Sequence, residues 1–516
     1  MLIGENGLAI HNSVEIILVE SGRPIDICTS AYKNFCGSMV GISGCGFPAR
    51  IGRAHRNSRM NGVQGKTAIV PLIALLAMTQ IYAFHWGVVT PDTVEQYGQA
   101  LTGQYADWHP PVTAWLWHLL LKFHVGSAGI FLFDVLLYWL GIGCLALAAQ
   151  RRSGTAWAIL IVAIGALPIP FGQMGSLLKD PLLTALCLLA SGLIALRRPR
   201  WCAVPLLIVA SATRFNAIFA TLPILMGLLP DGAIATWKRM AVSAMAGTVL
   251  LVGLSWFVNV VMLEPHRSEP IFSLINFDLG GIAAHGGGNP YPSMTVEETR
   301  ALTRECYDPR LYNPTDSDRC NSVEDRLVDF AHAHHQSAVS IWLQAVSAHP
   351  FAYIGHRIAH INWNWRFFVS CVPDDAVYMM SEPNDLGLTF TPNRATRWVV
   401  NAARVIAWSP LGRPATWLAV AAGLMLISES LASRRLIRML AFSALGYGSA
   451  YAVVSVAPDM RYNLWTMVAA MIAAVIASAD IRAGARPDRG ALITAAALLL
   501  CVIAIEIAGL AYGAEI

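Results

Sequence analysis

The constraint that dominates this sequence is its apolar blocks of about 20 residues, each long enough to cross a ~30 Å hydrocarbon core as a helix. Only 13% of the 516 residues are charged and 55% are hydrophobic. A soluble globular chain carries roughly twice that charge, so an ordinary soluble enzyme is excluded. Disorder requires the opposite composition and is excluded as well. The fold class that follows is an all-α integral membrane protein, a polytopic helical bundle.

Lys and Arg resist translocation, so the basic positions orient the spans. Residues 67–87 form the first span, after a basic stretch (Arg50, Arg53, Arg56, Arg59, Lys66) expected to stay in the cytoplasm. Spans follow at 127–148, 156–172 and 180–196. The apolar run 201–229 is interrupted at Arg214-Phe215-Asn216 and reads as a hairpin of two short helices. Further spans are expected at 240–263, 414–431, 439–457, 463–479 and 491–512. That makes about 11 spans, with every short basic loop on one side and residues 88–126 outside.

Residues 1–66 lack this patterning. They read as a disordered cytoplasmic tail, or as translation assigned too early, with Met60 the alternative start. Residues 1–20 do not have the basic start and unbroken apolar run of a signal peptide. The remaining organisation is a membrane module over 67–263, an external segment over 264–394 and C-terminal membrane helices over 395–516. The external segment holds 16 of the chain's 32 acidic residues and no lysine. Cys306 and Cys320 lie within it. An oxidising exterior would allow them to pair, with Cys371 a competing partner.

Polar chemistry gathers in the first external loop. Asp92 lies just past the first span. A helix starting at Pro91 places Glu95 on the same face, one turn on. Asp107, Trp108 and His109 close the loop before Pro110-Pro111. Residues 112–124 (Trp115, Trp117, His118) read as an interfacial helix with aromatics at headgroup level. These acids can serve as a general base for an acceptor, or hold a divalent cation; in an ordinary loop they would simply cap helices and meet water.

Cations face the same side. Of five lysines, Lys179 alone occupies a short external connection. It suits a lipid-linked phosphate, or else snorkels at a helix end or pairs with Asp180. Arg214 sits inside the apolar hairpin, where a charge normally faces a cavity or a partner. Arg461 lies at the outer end of a span, after Pro458-Asp459. Acids beside Lys179, Arg214 and Arg461 are what binding a phosphate-linked donor and activating an acceptor would require.

Other stretches read as structure. Gly286-Gly287-Gly288-Asn289 lacks the strand–turn–helix setting of a phosphate loop. His332, His334 and His335 have no regular metal-binding spacing. His356 and His360 are at i, i+4, but Trp363, Trp365, Phe367 and Phe368 follow, which favours an interfacial amphipathic helix.

Taken together, the acidic motif after the first span, the interfacial first loop, Lys179-Asp180 in the second loop and the large later external segment resemble the GT-C superfamily. These are membrane glycosyltransferases that use polyprenyl-phosphate-linked sugars. The resemblance is to the protein O-mannosyltransferase and aminoarabinose-transferase branch, and to bacterial membrane proteins with similar Asp-x-x-x-Gln-Tyr and His-Pro-Pro segments. It covers roughly residues 67–480, as architecture and short motifs.

The resemblance implies that Asp92 is the catalytic base or orients the acceptor, with Glu95 second. Adjacent acids are common in the family, whereas Asp92 is followed by Thr93, so Asp107 or His109 can take the second role. It implies phosphate binding by Lys179, Arg214 or Arg461. A divalent cation, Mg or Mn, is compatible but not required.

The expected activity is inverting transfer of a sugar from a polyprenyl phosphate to a glycan, lipid or protein acceptor, with membrane lipids as surroundings and no role for nucleic acid. The expected location is a bacterial inner membrane, N-terminus cytoplasmic and site periplasmic. A secondary transporter or lipid-linked glycan flippase is the competing class, favoured by Arg214 and the broken hairpin. No inverted repeat accompanies it. An O-antigen polymerase or ligase would instead rely on arginines in the large external loop.

Overall fold

The computed structural model describes residues 61–516, apart from 198, 317–319, 321, 322, 371–375, 380 and 514–516. The expectations for residues 1–60, and Cys371 as a disulfide partner, lie outside the described residues. Among these the chain is helical, with three isolated β-bridges in place of a sheet.

The first membrane module comprises α1 (Asn61–Phe84), α2 (Pro91–Thr102), α3 (Val112–Leu121), α4 (Ala128–Ser153), α5 (Thr155–Gly165), α6 (Pro168–Gln173), α7 (Lys179–Leu196), α8 (Ala203–Thr213), α9 (Ile218–Leu228) and α10 (Trp237–Trp256). A π-helical turn, Phe257–Met262, extends α10. Residues 264–394 carry α11 (Ile271–Ala284), α12 (Val296–Glu305), α13 (Val323–Ala333), α14 (Ala338–Ala348) and α15 (Pro350–Asn364). The chain then runs through α16 (Arg394–Ala407), α17 (Pro414–Ile427), α18 (Arg434–Val454), α19 (Leu464–Arg482) and α20 (Arg489–Tyr512).

Each stretch expected to span is helical. Six helices among the described residues are long and apolar enough to cross a membrane: Ala128–Ser153, Lys179–Leu196, Trp237–Met262, Arg434–Val454, Met460–Arg482 and Arg489–Tyr512. The other expected spans are shorter apolar helices. The stretch 156–172 is divided between α5 and α6 because Leu167, preceding Pro168, is driven to an extended backbone (φ −60°, ψ 140°). The hairpin at 201–229 is present. Ser211 and Thr221 share a hydroxyl hydrogen bond of 3.0 Å, although ten residues of straight helix would hold them about 15 Å apart.

The bundle core is built on α4 against α7. Gly141 allows that approach, since a Cβ there would sit 2.6 Å from the Leu189 backbone nitrogen. The last helix is held by Glu506, which accepts from the Thr416 backbone N–H (3.0 Å) and hydroxyl (2.6 Å).

A second core lies within residues 264–394, around Phe272, Leu279, Leu302, Val323 and Leu327. Cys306 and Cys320 are joined there as a disulfide. In α15, His356 and His360 are fully buried, whereas Phe351, Ile354 and Ile358 are exposed. The helix is amphipathic as expected, but its polar face is turned inward. The buried Asp278 carboxylate draws it there, paired with Arg357 at 2.6 Å and lying 3.3 Å from His356. His332 lies 3.1 Å from Glu269, and the His334 ring stacks on Phe330.

Candidate active site

Local sequence places the acids. Thr90 caps α2 and exchanges a capping box with Thr93, and Pro91 occupies the first turn. The helix therefore starts where the sequence predicts, and Asp92 and Glu95 share a face. The Thr93 hydroxyl also donates to the Leu177 carbonyl at 3.1 Å. Val88 and Ser176 form a parallel bridge, with the Val88 N–H donating to Gly175 at 2.9 Å. Gly175 is needed there, because a Cβ would fall 2.4 Å from the Phe84 ring. These ties bring the second loop, and hence Lys179 at the start of α7, beside the first.

The charged groups form one chain of contacts. Lys179 Nζ donates to His109 Nδ1 at 2.5 Å. His109 Nε2 is then the protonated nitrogen, facing Asp92 at 3.7 Å and Glu95 at 3.8 Å. Arg461 donates to Asp92 (3.0 Å) and to Asp459 (2.9 Å). Arg214 pairs with Asp180, the residue after Lys179. Its guanidinium lies 4.6 Å from the Tyr462 ring centre, and that of Arg461 lies 5.4 Å from the same ring. Tyr462 stacks on Tyr451, and Tyr378 flanks Arg461. The five residues Asp92, Glu95, His109, Lys179 and Arg461 are thus in direct contact, and Arg214 joins them through Asp180 and Tyr462.

Asp107 stands apart. Its carboxylate accepts from the Ser268 backbone N–H, and its own N–H donates to His266 at 3.0 Å. It fastens the first loop to the chain that leads into α11. Trp117, expected at headgroup level, is buried against Tyr97 with ring centres 4.8 Å apart. The His118 ring nitrogen Nδ1 meets the Ala100 carbonyl at 2.7 Å, which completes the α2–α3 pairing. Asn259 accepts from the Val112 N–H (3.1 Å) and donates to the Ala212 carbonyl (2.8 Å). That one side chain satisfies the end of α8 and the start of α3 together.

The electrostatics separate the two carboxyls. Burial pushes the Asp92 carboxyl up, but Arg461, then His109 and Lys179, outweigh it and hold it well below the usual range. Glu95, more exposed at the rim, is raised by burial and by the Asp92 charge. Burial and the Lys179 cation lower His109 to about 4, so its imidazole is neutral. Among the described residues no group of three His, Cys, Asp or Glu is arranged to hold a metal ion.

Sequence reasoning did not single out Tyr378 or Tyr451 as site residues, and offered Asp180 only as a partner for Lys179; the structure gives that carboxylate to Arg214 instead. Neither a family model nor a curated relative matches the chain. Two solved structures are similar to it. One is the crystal structure of ArnT from Cupriavidus metallidurans in the apo state, 14% identical over 80% of this chain and 78% of that one, with a TM-score of 0.28. The other is that protein bound to undecaprenyl phosphate, 15% identical with the same coverage and TM-score.

Proposed function

We propose that the chain is an inverting glycosyltransferase that moves a sugar from a polyprenyl-phosphate carrier to an acceptor at the outer face of the membrane. The observation that carries this reading is the Arg461–Asp92 contact, between residues 369 apart, closed by the Lys179–His109 pair. It sets two carboxylates against cations at the ends of membrane helices. Cations at headgroup depth suit a lipid phosphate, and the carboxylates suit an acceptor hydroxyl or amine.

Two carboxyls whose environments push them apart divide the acid–base work. Asp92, held ionised by Arg461, orients the acceptor. Glu95, raised and facing outward, is the better-matched base. The acceptor heteroatom forms a bond to the anomeric carbon as the carbon–oxygen bond to phosphate breaks. The electron pair leaves on the phosphate oxygen, and the acceptor proton passes to Glu95. Lys179 and Arg461 stabilise the charge that develops on the leaving phosphate. Arg214, neutralised by Asp180, stacks on Tyr462 and so braces the ring beside Arg461. A single displacement inverts the anomeric centre.

The disulfide in the external segment fits an oxidising periplasm, and the arginine clusters at the opposite helix ends fit a cytoplasmic face. Mass spectrometry of envelope glycans and glycoproteins tests the reading. Cells lacking the gene are compared with cells complemented by wild type or by Asp92→Asn at matched membrane levels. A defined sugar mass should vanish in the deletion and return only with wild type. Full restoration by Asp92→Asn would make the first-loop acid structural and overturn the assignment.

A further inference from the structure

A cavity of about 420 Å³ opens where the ends of α4, α7 and α19 meet the starts of α5 and α18. Lys179 and Arg197 mark the two ends of α7, whose 18 residues place the cavity about 27 Å from the acid–cation cluster. It therefore belongs to the opposite membrane surface.

The lining divides into two parts. Arg151, Arg152 and Arg197 are its basic lining, and Trp157, Leu436 and Val475 are among its apolar lining. The carboxylate beside them, Asp480, is already engaged. It accepts from the Ser433 backbone N–H (2.5 Å) and hydroxyl (3.0 Å) and lies 3.6 Å from Arg152. Among the described residues Arg151 and Arg197 have no acidic partner. Three guanidiniums against one occupied carboxylate leave a net positive cavity at the membrane–water boundary.

We infer that this cavity binds the phosphodiester headgroup of an anionic phospholipid in the leaflet opposite the acid–cation cluster. Arg151 and Arg197 meet the phosphate, and Trp157, Leu436 and Val475 pack on the glycerol and upper acyl chain. The volume lies within the range of small-molecule sites, roughly 300–1,000 Å³. The chemistry is that of basic pockets between membrane helices that hold acidic headgroups. A free phosphate would meet the arginines but leave the apolar lining uncovered. The bound lipid would bridge five helix ends. This inference does not depend on the transferase reading.

The test is native mass spectrometry of the purified full chain, titrated with dioleoyl phosphatidylglycerol or with dioleoyl phosphatidylcholine. Wild type should retain phosphatidylglycerol preferentially. Arg151→Gln/Arg197→Gln should lose that preference by roughly thirtyfold, from about fivefold for each of the two surface arginines. Arg434→Gln/Arg435→Gln, on the same surface but outside the cavity, should keep it. Equal loss in both double variants would mean a general surface field and overturn the site. So would unchanged retention in the Arg151/Arg197 variant with its thermal midpoint intact. Displacement by inorganic phosphate at equal concentration would reassign the cavity to free phosphate and overturn the lipid.

Discussion

His109 is the hinge of the cluster, and its protonation offers the sharpest test of the geometry. The imidazole accepts from Lys179 at Nδ1 and presents its Nε2 proton to Asp92 and Glu95. Protonating it removes the acceptor Lys179 uses and places two cations 2.5 Å apart. The folded value of about 4, against an ordinary 6.5, corresponds to about 3 kcal/mol. The side chain is only 11% exposed, so solvent screening leaves most of that figure intact. Between those two pH values the unfolded chain binds a proton at His109 and the folded chain does not. Stability therefore rises with pH through this window, is fully present above 6.5, and is lost as pH falls toward 4.

His109→Gln keeps a carbonyl to accept from Lys179 and does not titrate. Unfolding of both purified proteins in detergent, by heat and by urea, is measured at several pH values between 7 and 4. The stability of wild type relative to His109→Gln should fall by about 3 kcal/mol across the window. Parallel curves for the two proteins would refute a neutral, buried His109 and with it the assigned contact to Lys179.

Glu95→Gln should lower transfer by roughly 10²–10⁴-fold. Wild-type activity should rise with pH through the raised Glu95 value, and a rate–pH profile of the variant should lack that limb; an unchanged limb would assign the base elsewhere. Arg214→Gln strands the buried Asp180 carboxylate and should cost about 3–5 kcal/mol. Adding Asp180→Asn should recover most of it in unfolding measurements, and a double variant no better than the single would deny the pair. Cys306→Ser/Cys320→Ser opens a link across 14 residues. The loss should be about 3 kcal/mol, seen as a lower thermal midpoint that reductant no longer shifts.

The sequence by itself determined whatever depends on near neighbours. Apolar runs, proline breaks and basic flanks located the helices, including the hairpin broken at Arg214, because burial of a helix face and the exclusion of charge from hydrocarbon act locally along the chain. The i, i+3 spacing put Asp92 and Glu95 on one face for the same reason. Only the tertiary structure decided which charges meet. Asp92 pairs with Arg461 from the far end of the chain, while Asp107, nearer in sequence, turns to Ser268. Trp117 and His356 also went inward where their local pattern suggested a membrane surface, because Tyr97 and Asp278 supply partners that no periodicity announces. Hydropathy registers the solvent each residue prefers. Ion pairs and ring contacts depend on which side chains the packed helices bring within a few ångströms, and that is fixed only when the bundle closes.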